Sequence, residues 1–242
     1  MHQAKRAIIM AAGMGERMYP VTRITPKPLV SVQGRRMIDT IISALHENGI
    51  TEIYVVVGYR REQFAALPEE YPGVRLIDNP DYMTANNISS LYYARAHLGE
   101  CVILDGDQII RDPGILDPSF SRSCYCCDWT ERPTREWILT VENGVSTGCS
   151  RNGGDKGWVL HSVSFWSAAD GERLRRHLEY EYEVRRDREL YWDDVALFRY
   201  PDAYQLGIRQ IAGDALVEID SFEELCALDP AYLSFGNSEK NG

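Results

Sequence analysis

The chain has 242 residues, 44% of them hydrophobic, enough to bury the core of one domain and leave surface for an elaboration. Its 36 acidic residues outnumber 26 basic ones, for a formal net charge of -10, which disfavours a general nucleic-acid-binding role. No apolar run approaches membrane-spanning length, and Met1 to Arg6 is too short and polar for a signal peptide, so the expected setting is cytoplasmic, without membrane insertion.

Taken in order, the chain opens with an apolar run, Ile8 to Met10, that reads as a buried strand. Ala11, Ala12, Gly13, Met14 and Gly15 follow, a glycine turn whose backbone N–H groups can approach an anion closely. Arg17 adds a basic side chain, and Lys27 sits between Pro26 and Pro28, where a stiff backbone fixes its position at little entropic cost. The spacing matches neither a dinucleotide fingerprint nor a P-loop. Ser31 to Gly34 reads as a turn. Met37, Ile38, Ile41, Ile42 and Leu45 recur at helical spacing, with Asn48-Gly49 as the stop. Ile53 to Val57 reads as a parallel strand covered on both faces, Tyr59 to Leu67 as a helix ended by Pro68, and Val74 to Ile77 as a short strand. This alternation predicts an α/β, Rossmann-like doubly wound mixed sheet with ligands at the carboxyl ends of its strands.

Asn86-Asn87-Ile88-Ser89-Ser90 precedes an amphipathic stretch and can either cap a helix or reach a nucleotide from its start. Cys101 to Leu104 is a further buried strand running into Asp105-Gly106-Asp107, and two carboxylates there suit a hard octahedral ion such as Mg²⁺. Asp107 is the expected direct ligand and Asp105 a supporting residue. Between Ser119 and Gly157, frequent glycines punctuate short runs such as Trp137 to Val141, the pattern of a small antiparallel elaboration. Cys124, Cys126 and Cys127 lack a second pair at zinc-site spacing and read as reduced thiols. Gly157 to Trp166 returns as a strand, and Asp170 to Arg186 as a charged helix. Leu190-Tyr191-Trp192-Asp193-Asp194 sets acids beside two large aromatics, either a helix start or a second source of a metal carboxylate, Asp193. Leu216 to Leu228 reads as a strand, a Ser221 cap with Glu224 three residues on, and a closing helix; residues 236–242 are expected to fray.

The string A-A-G-x-G-x-R followed by T-P-K-P-L resembles the signature of nucleotidyltransferases that make sugar nucleotides and related activated alcohols. Residues 6 to about 229 are similar, more narrowly, to the bacterial phosphocholine cytidylyltransferases. The segments carrying this are Asn-Asn-x-x-Ser, Thr134-Arg135-Glu136-Trp137, Val163-Ser164-Phe165-Trp166, Glu189-Leu190-Tyr191-Trp192-Asp193 and Glu218-Ile219-Asp220-Ser221. The resemblance implies a GT-A-like fold, Mg²⁺, and CMP transfer from CTP to phosphocholine, giving CDP-choline and pyrophosphate. It implies a catalytic set of Lys27, Arg17, Asp107 and Asp193, with the metal on Asp107 and Asp193. Nucleotide contacts would come from Ala11 to Gly15, Asn86, Asn87, Ser90 and Asp105. It also implies an aromatic box for the quaternary ammonium, drawn from Trp137, Trp166 and Tyr191 with Glu189 for charge. That box has a physical rationale, because trimethylammonium donates no N–H hydrogen bond and is recognised through π faces. Glu16 stands where the family usually has Ser or Thr, and Glu189 is longer than the expected aspartate. The same chemistry on 2-aminoethylphosphonate or phosphoethanolamine is the alternative; a sugar-1-phosphate acceptor or a non-catalytic regulatory role ranks below it. The expected organisation is a single domain, residues 1–235, with a nucleotide-binding half at about 5–118 and an acceptor-binding half at about 119–229, as monomer or homodimer.

Overall fold

In the computed structural model, which describes residues 1–238, Arg6–Ala11 (β1), Glu52–Val57 (β2), Val74–Asp78 (β3) and Cys101–Asp105 (β4) pair in parallel in the order β4-β1-β2-β3. Successive side chains point to opposite faces. Ile9, Val55 and Leu104 therefore share one buried cluster, whereas Ile8, Val56 and Ile103 share another. Met37–Glu47 (α1) brings Ile38, Ile41, Ile42 and Leu45 to the first, and Ile88–Ala94 (α2) brings Leu91 and Ala94 to the second. Both faces are covered, as the near-continuous apolar strands require.

The sheet then turns antiparallel. Past Gln108–Ile110 (β5), the strands Cys124–Thr130 (β6), Ile138–Glu142 (β7), Val145–Ser150 (β8) and Gly157–Trp166 (β9) follow. The end of β9 pairs antiparallel with β4, Val163 opposite Leu104, while the start of β9 pairs with β7 and its other edge with β6. Gly207–Gln210 (β10) lies parallel to β6 and touches β8 through Val145 and Gly207. Together with the β7–β8 hairpin, these pairings close a ring of five strands beside the parallel half. The elaboration foreseen between Ser119 and Gly157 is thus continuous with the main sheet.

Several local expectations need correction. Residues 59–67 do not form one helix: Arg61–Phe64 is a 3₁₀ turn, and Leu67–Glu70 is a short helix carrying Pro68 in its first turn. Pro lacks only an N–H that the first turn leaves unpaired anyway, so here it opens a helix instead of ending one. The charged helix starts at Ala168 (α3, Ala168–Glu179) and passes into a π-helical stretch, Tyr180–Arg185. The turn expected at Ser31 to Gly34 is present but shorter: Gln33-Gly34, both with positive φ, joins the paired strands Ser31–Val32 and Arg35–Arg36. At the C-terminal end, Trp192–Asp194 (α4), Leu216–Glu218 (β11) and Phe222–Leu228 (α5) complete the elements that shape the site. Ser221 and Glu224 form the expected capping box on α5. Of the tail expected to fray, residues 236–238 belong to the short helix Leu233–Ser238, and 239–242 lie outside the described residues.

A third, smaller apolar cluster positions the site. Met18, Val21, Val30 and Val32 from the segment after the glycine turn pack against Ile219 and Leu225 near the other end of the chain. Strand β11 pairs with β5, Glu218 opposite Gln108, and so carries the C-terminal segment alongside the Asp105-Gly106-Asp107 loop.

Candidate active site

β1 has β4 on one side and β2, then β3, on the other, so the strand order reverses at the β1–β4 pair, the point where an open α/β sheet forms a crevice at its carboxyl ends. A cleft of about 440 Å³ opens there, lined by Ala11 to Arg17, Lys27, Asn87, Ser90, Asp105, Asp107 and Asp220. Gly15 has φ +63° and starts a 3₁₀ turn, and a Cβ there would sit 3.1 Å from Lys27 Cβ and 3.2 Å from Thr22 Cγ2. Its carbonyl accepts from Thr22 Oγ1 at 2.7 Å and from Met18 N at 2.9 Å, so the loop is pinned on the side away from the cleft. Gly106 N–H donates to the Met10 carbonyl at 2.9 Å, tying the acidic loop to the end of β1.

Lys27 is 8% exposed, and its Nζ lies 2.6 Å from Asp107 Oδ2 and 3.0 Å from Asp220 Oδ1. Burial alone would lower its pKa, but the charges and hydrogen bonds of Asp107 and Asp220 outweigh burial and raise it, so the ammonium stays ionised. Arg17 reaches Asp220 at 2.8 Å from a largely exposed position. Asp107, Glu218 and Asp220 each offer a carboxylate oxygen within 4.8 Å of the others. Asp107 Oδ1 is buried and has no hydrogen-bond partner, a free lone pair beside two further carboxylates. An oxygen-only donor set with an orphaned acceptor fits a hard divalent cation.

Asp193 is not among these three. It is 7% exposed, accepts a 2.8 Å hydrogen bond from the buried Tyr125 hydroxyl, and is pushed up to about 7 by burial, with the Asp194 charge adding to the rise. Burial, then the charges of Asp107 and Asp193, push Asp105 well above the usual carboxylate range, so Asp193 is close enough to act on Asp105 through its charge, but it does not line the cleft. The carboxylates grouped with Asp107 are instead Glu218 and Asp220, brought in by β11.

Of the expected nucleotide contacts, Ala11 to Gly15, Asn87, Ser90 and Asp105 line the cleft. Asn86 does not: its Nδ2 donates to the Glu189 carbonyl at 3.1 Å and its N–H to the Arg188 carbonyl at 2.7 Å. Asn87 Oδ1 accepts from Trp192 N–H at 2.8 Å. The Asn-Asn pair therefore fastens the 188–192 segment to the rim of the cleft.

The expected aromatic box is partly assembled. Trp137, half-buried, meets the exposed Tyr191 edge-on at 5.9 Å between ring centroids and Phe198 at 5.6 Å. Trp166 is a correction. It is fully buried beside Trp192 and Tyr204, with its indole N–H on Ser164 Oγ, so it offers no face to a ligand. Glu189 lies exposed. Trp192 belongs to the core, whereas Trp129 is at the surface. Two residues escaped sequence reasoning here, Phe198 and Arg151. The Arg151 guanidinium carbon stands 4.1 Å from the Phe198 ring centroid and 5.4 Å from that of Trp137, and the group pairs with the buried Asp194. The only available signal was an aromatic four residues beyond Asp194. The six cysteines are free thiols, and none belongs to a metal-holding group among the described residues.

The doubly wound sheet, the glycine loop and the lysine–carboxylate cleft define a nucleotidyl transferase. Residues 6–117 match the family model described as nucleotidyl transferase. The chain is 40% identical over 229 residues to a 2-aminoethylphosphonate cytidylyltransferase of Lancefieldella rimae, covering 94% of this chain and 93% of that one. It is 33% identical over 226 residues to a choline-phosphate cytidylyltransferase of Streptococcus pneumoniae, covering 93% and 96%. The solved CTP:phosphocholine cytidylyltransferase (LicC) from Streptococcus pneumoniae superposes with a TM-score of 0.87 at 32% identity, over 93% of this chain and 98% of that one. The chain belongs to the cytidylyltransferase family of nucleotidyl transferases and is an enzyme of that class. Among the described residues, no helix is long and apolar enough to cross a membrane.

Proposed function

We propose that the enzyme transfers CMP from CTP to a small phosphorylated or phosphonylated amine, with 2-aminoethylphosphonate ahead of phosphocholine as acceptor. The observation that carries the reaction is the convergence of Lys27, Asp107 and Asp220 at a cleft floored by the glycine loop. The order of acceptors reverses the sequence reading; it rests on the 40% relative and on a box that already contains a cation.

In this reading the triphosphate of CTP lies over Ala11 to Gly15, where backbone N–H groups can approach it. An anionic oxygen of the acceptor attacks the α-phosphorus in line; the new P–O bond forms as the bond to pyrophosphate breaks. The nucleophile is already ionised near neutral pH, so no general base is needed. The obstacle is bringing two anions together, and Lys27 and Arg17 lower it by holding positive charge where charge accumulates. Mg²⁺ held by Asp107 and Asp220, with Glu218 beside them, would add further positive charge at the phosphates. Asp193, which accepts from the Tyr125 hydroxyl, would act on the site only through its charge near Asp105.

A matrix of CTP, ATP, GTP and UTP against 2-aminoethylphosphonate, phosphocholine, phosphoethanolamine and a sugar 1-phosphate, read as pyrophosphate formed with and without EDTA, tests this. The expectation is release with CTP and 2-aminoethylphosphonate, abolished by EDTA. Turnover only with a sugar 1-phosphate would overturn the reading. Phosphocholine as the best acceptor would restore the other order, which the exposed Tyr191 beside Trp137 favours.

A further inference from the structure

Arg151 follows β8 in a tight turn, and its side chain crosses to the helical segment that begins at Trp192. Its guanidinium lies over Phe198 and beside Trp137, with Tyr191 completing the aromatic edge. Asp194, its carboxylate partner, is fixed: the side chain is 3% exposed, and Oδ2 accepts from Tyr191 N–H at 3.0 Å. Arg151 is the loose member of the pair, with a side chain 44% exposed. Two or three π faces and one buried carboxylate are the features a ligand cation needs. Here the protein's own cation has them.

We propose that Arg151 is a specificity-determining residue, an internal cation seated in the acceptor's ammonium subsite that sets the choice between primary and quaternary ammonium. The proposal rests on the phosphoamine reading above for what the subsite receives. A primary ammonium carries N–H donors and competes for the Asp194 carboxylate by hydrogen bonding. Trimethylammonium has none and depends on the aromatic faces, which the guanidinium covers. The resident arginine therefore costs a quaternary ligand more than a primary one. Removing it leaves Asp194 without its cation and frees both faces, so a quaternary ammonium gains most.

The test uses two readouts on wild type, Arg151→Ala, Arg151→Gln and Arg151→Lys. The first is tryptophan fluorescence titrated with tetramethylammonium chloride, with methylammonium chloride in parallel. Arg151→Ala and Arg151→Gln should bind tetramethylammonium about tenfold tighter than wild type, the size of one desolvated cation–π contact. Trp137→Leu added to either should erase that gain, and Arg151→Lys should behave as wild type. The second readout is pyrophosphate release. The ratio of kcat/KM for phosphocholine over 2-aminoethylphosphonate should rise about tenfold in the alanine and glutamine variants, through KM and not kcat. Unchanged tetramethylammonium affinity overturns the proposal, as does an equal loss with both acceptors, which would mean that Arg151 only braces the fold or contacts the shared anion. If wild type releases no pyrophosphate with any phosphoamine, the catalytic reading fails, and the titration still decides whether Arg151 fills a quaternary-ammonium subsite. The glutamine variant keeps the test open should alanine fail to fold.

Discussion

Lys27 sits between two carboxylates that would repel each other without it, and the same carboxylates are two of the three that fit a divalent ion. Replacing Lys27 by Met removes charge from the cleft and should lower turnover about 10²- to 10³-fold, by analogy with the loss of one preorganised donor. It also leaves Asp107 without its cation and Asp220 with Arg17 alone, so its melting temperature should recover part of its loss when Mg²⁺ is added; a loss indifferent to Mg²⁺ would argue against an ion there. Paired with it, Asp220→Asn should raise the Mg²⁺ concentration for half-maximal activity at least about tenfold, whereas Asp193→Asn should leave that midpoint unmoved. Metal titrations of pyrophosphate release on the two variants decide between Asp220 and Asp193. Sequence exposed Lys27 and Asp107, because glycine turns and strand-end acids mark themselves locally. Asp220 stood in view as part of Glu218-Ile219-Asp220-Ser221, but its place beside Asp107 depends on β11 pairing with β5, about a hundred residues earlier, and no local pattern reports that. Trp166 failed for a related reason: a strand-end aromatic reads alike whether it faces a ligand or the core.

Among the elements, the short C-terminal pair β11 and α5 does most to complete the site, and apolar packing holds it. Ile219 lies between Glu218 and Asp220, fully buried against Met18, Val21 and Val30 of the segment after the glycine turn. One face of this short extended segment thus anchors while its neighbours present carboxylates. Ile219→Ala should cost about 2–5 kcal/mol of stability by leaving a cavity, and Ile219→Val only about 0.5–1.5 kcal/mol. If the cluster positions Asp220, the alanine variant should also need more Mg²⁺ at temperatures where it remains folded, and the valine variant should not. Denaturant melts and Mg²⁺ titrations separate the two effects. Element types were largely readable: α1, β9 and the capping box stand where the sequence puts them. The segment 59–70 was not, because Pro68 reads as a stop until the turn it opens is known. Likewise, the ring formed by β6 to β10 closes through pairings such as Val145 with Gly207, which leave no periodicity to read.

Across the whole molecule, the segment between β3 and α2 is stitched to residues 182–192, and Asp81 is the charged stitch. Its carboxylate accepts hydrogen bonds from the hydroxyls of Tyr182 and Tyr93, the latter at 2.9 Å, and pairs with Arg188 at 3.1 Å. The bond from Tyr182 is the largest influence holding the Asp81 pKa below its ordinary value; burial opposes it, and the bonds from Tyr93 and Arg188 and the Arg188 charge carry the balance downward. Because the folded state prefers the ionised form, the stitch contributes fully above the ordinary carboxylate pKa and is lost as pH falls through the lower folded value. Asp81 is 30% exposed, so solvent screening reduces the worth of these bonds, and Asp81→Asn should cost about 1–2 kcal/mol at pH 7. That is a fall of about 2–8 °C in Tm for a chain of this size. The gap between wild type and Asp81→Asn should hold from pH 7 to about 5 and shrink below about pH 4 as the wild-type carboxylate protonates. A gap that widens in acid would reverse the sign and refute the assignment. The same stitch positions Tyr191 and Asp194 relative to Asn87 at the cleft rim, so Asp81→Asn should raise KM for the acceptor more than KM for CTP. Equal rises in both would mean that the seam supports the fold without aligning the two binding regions.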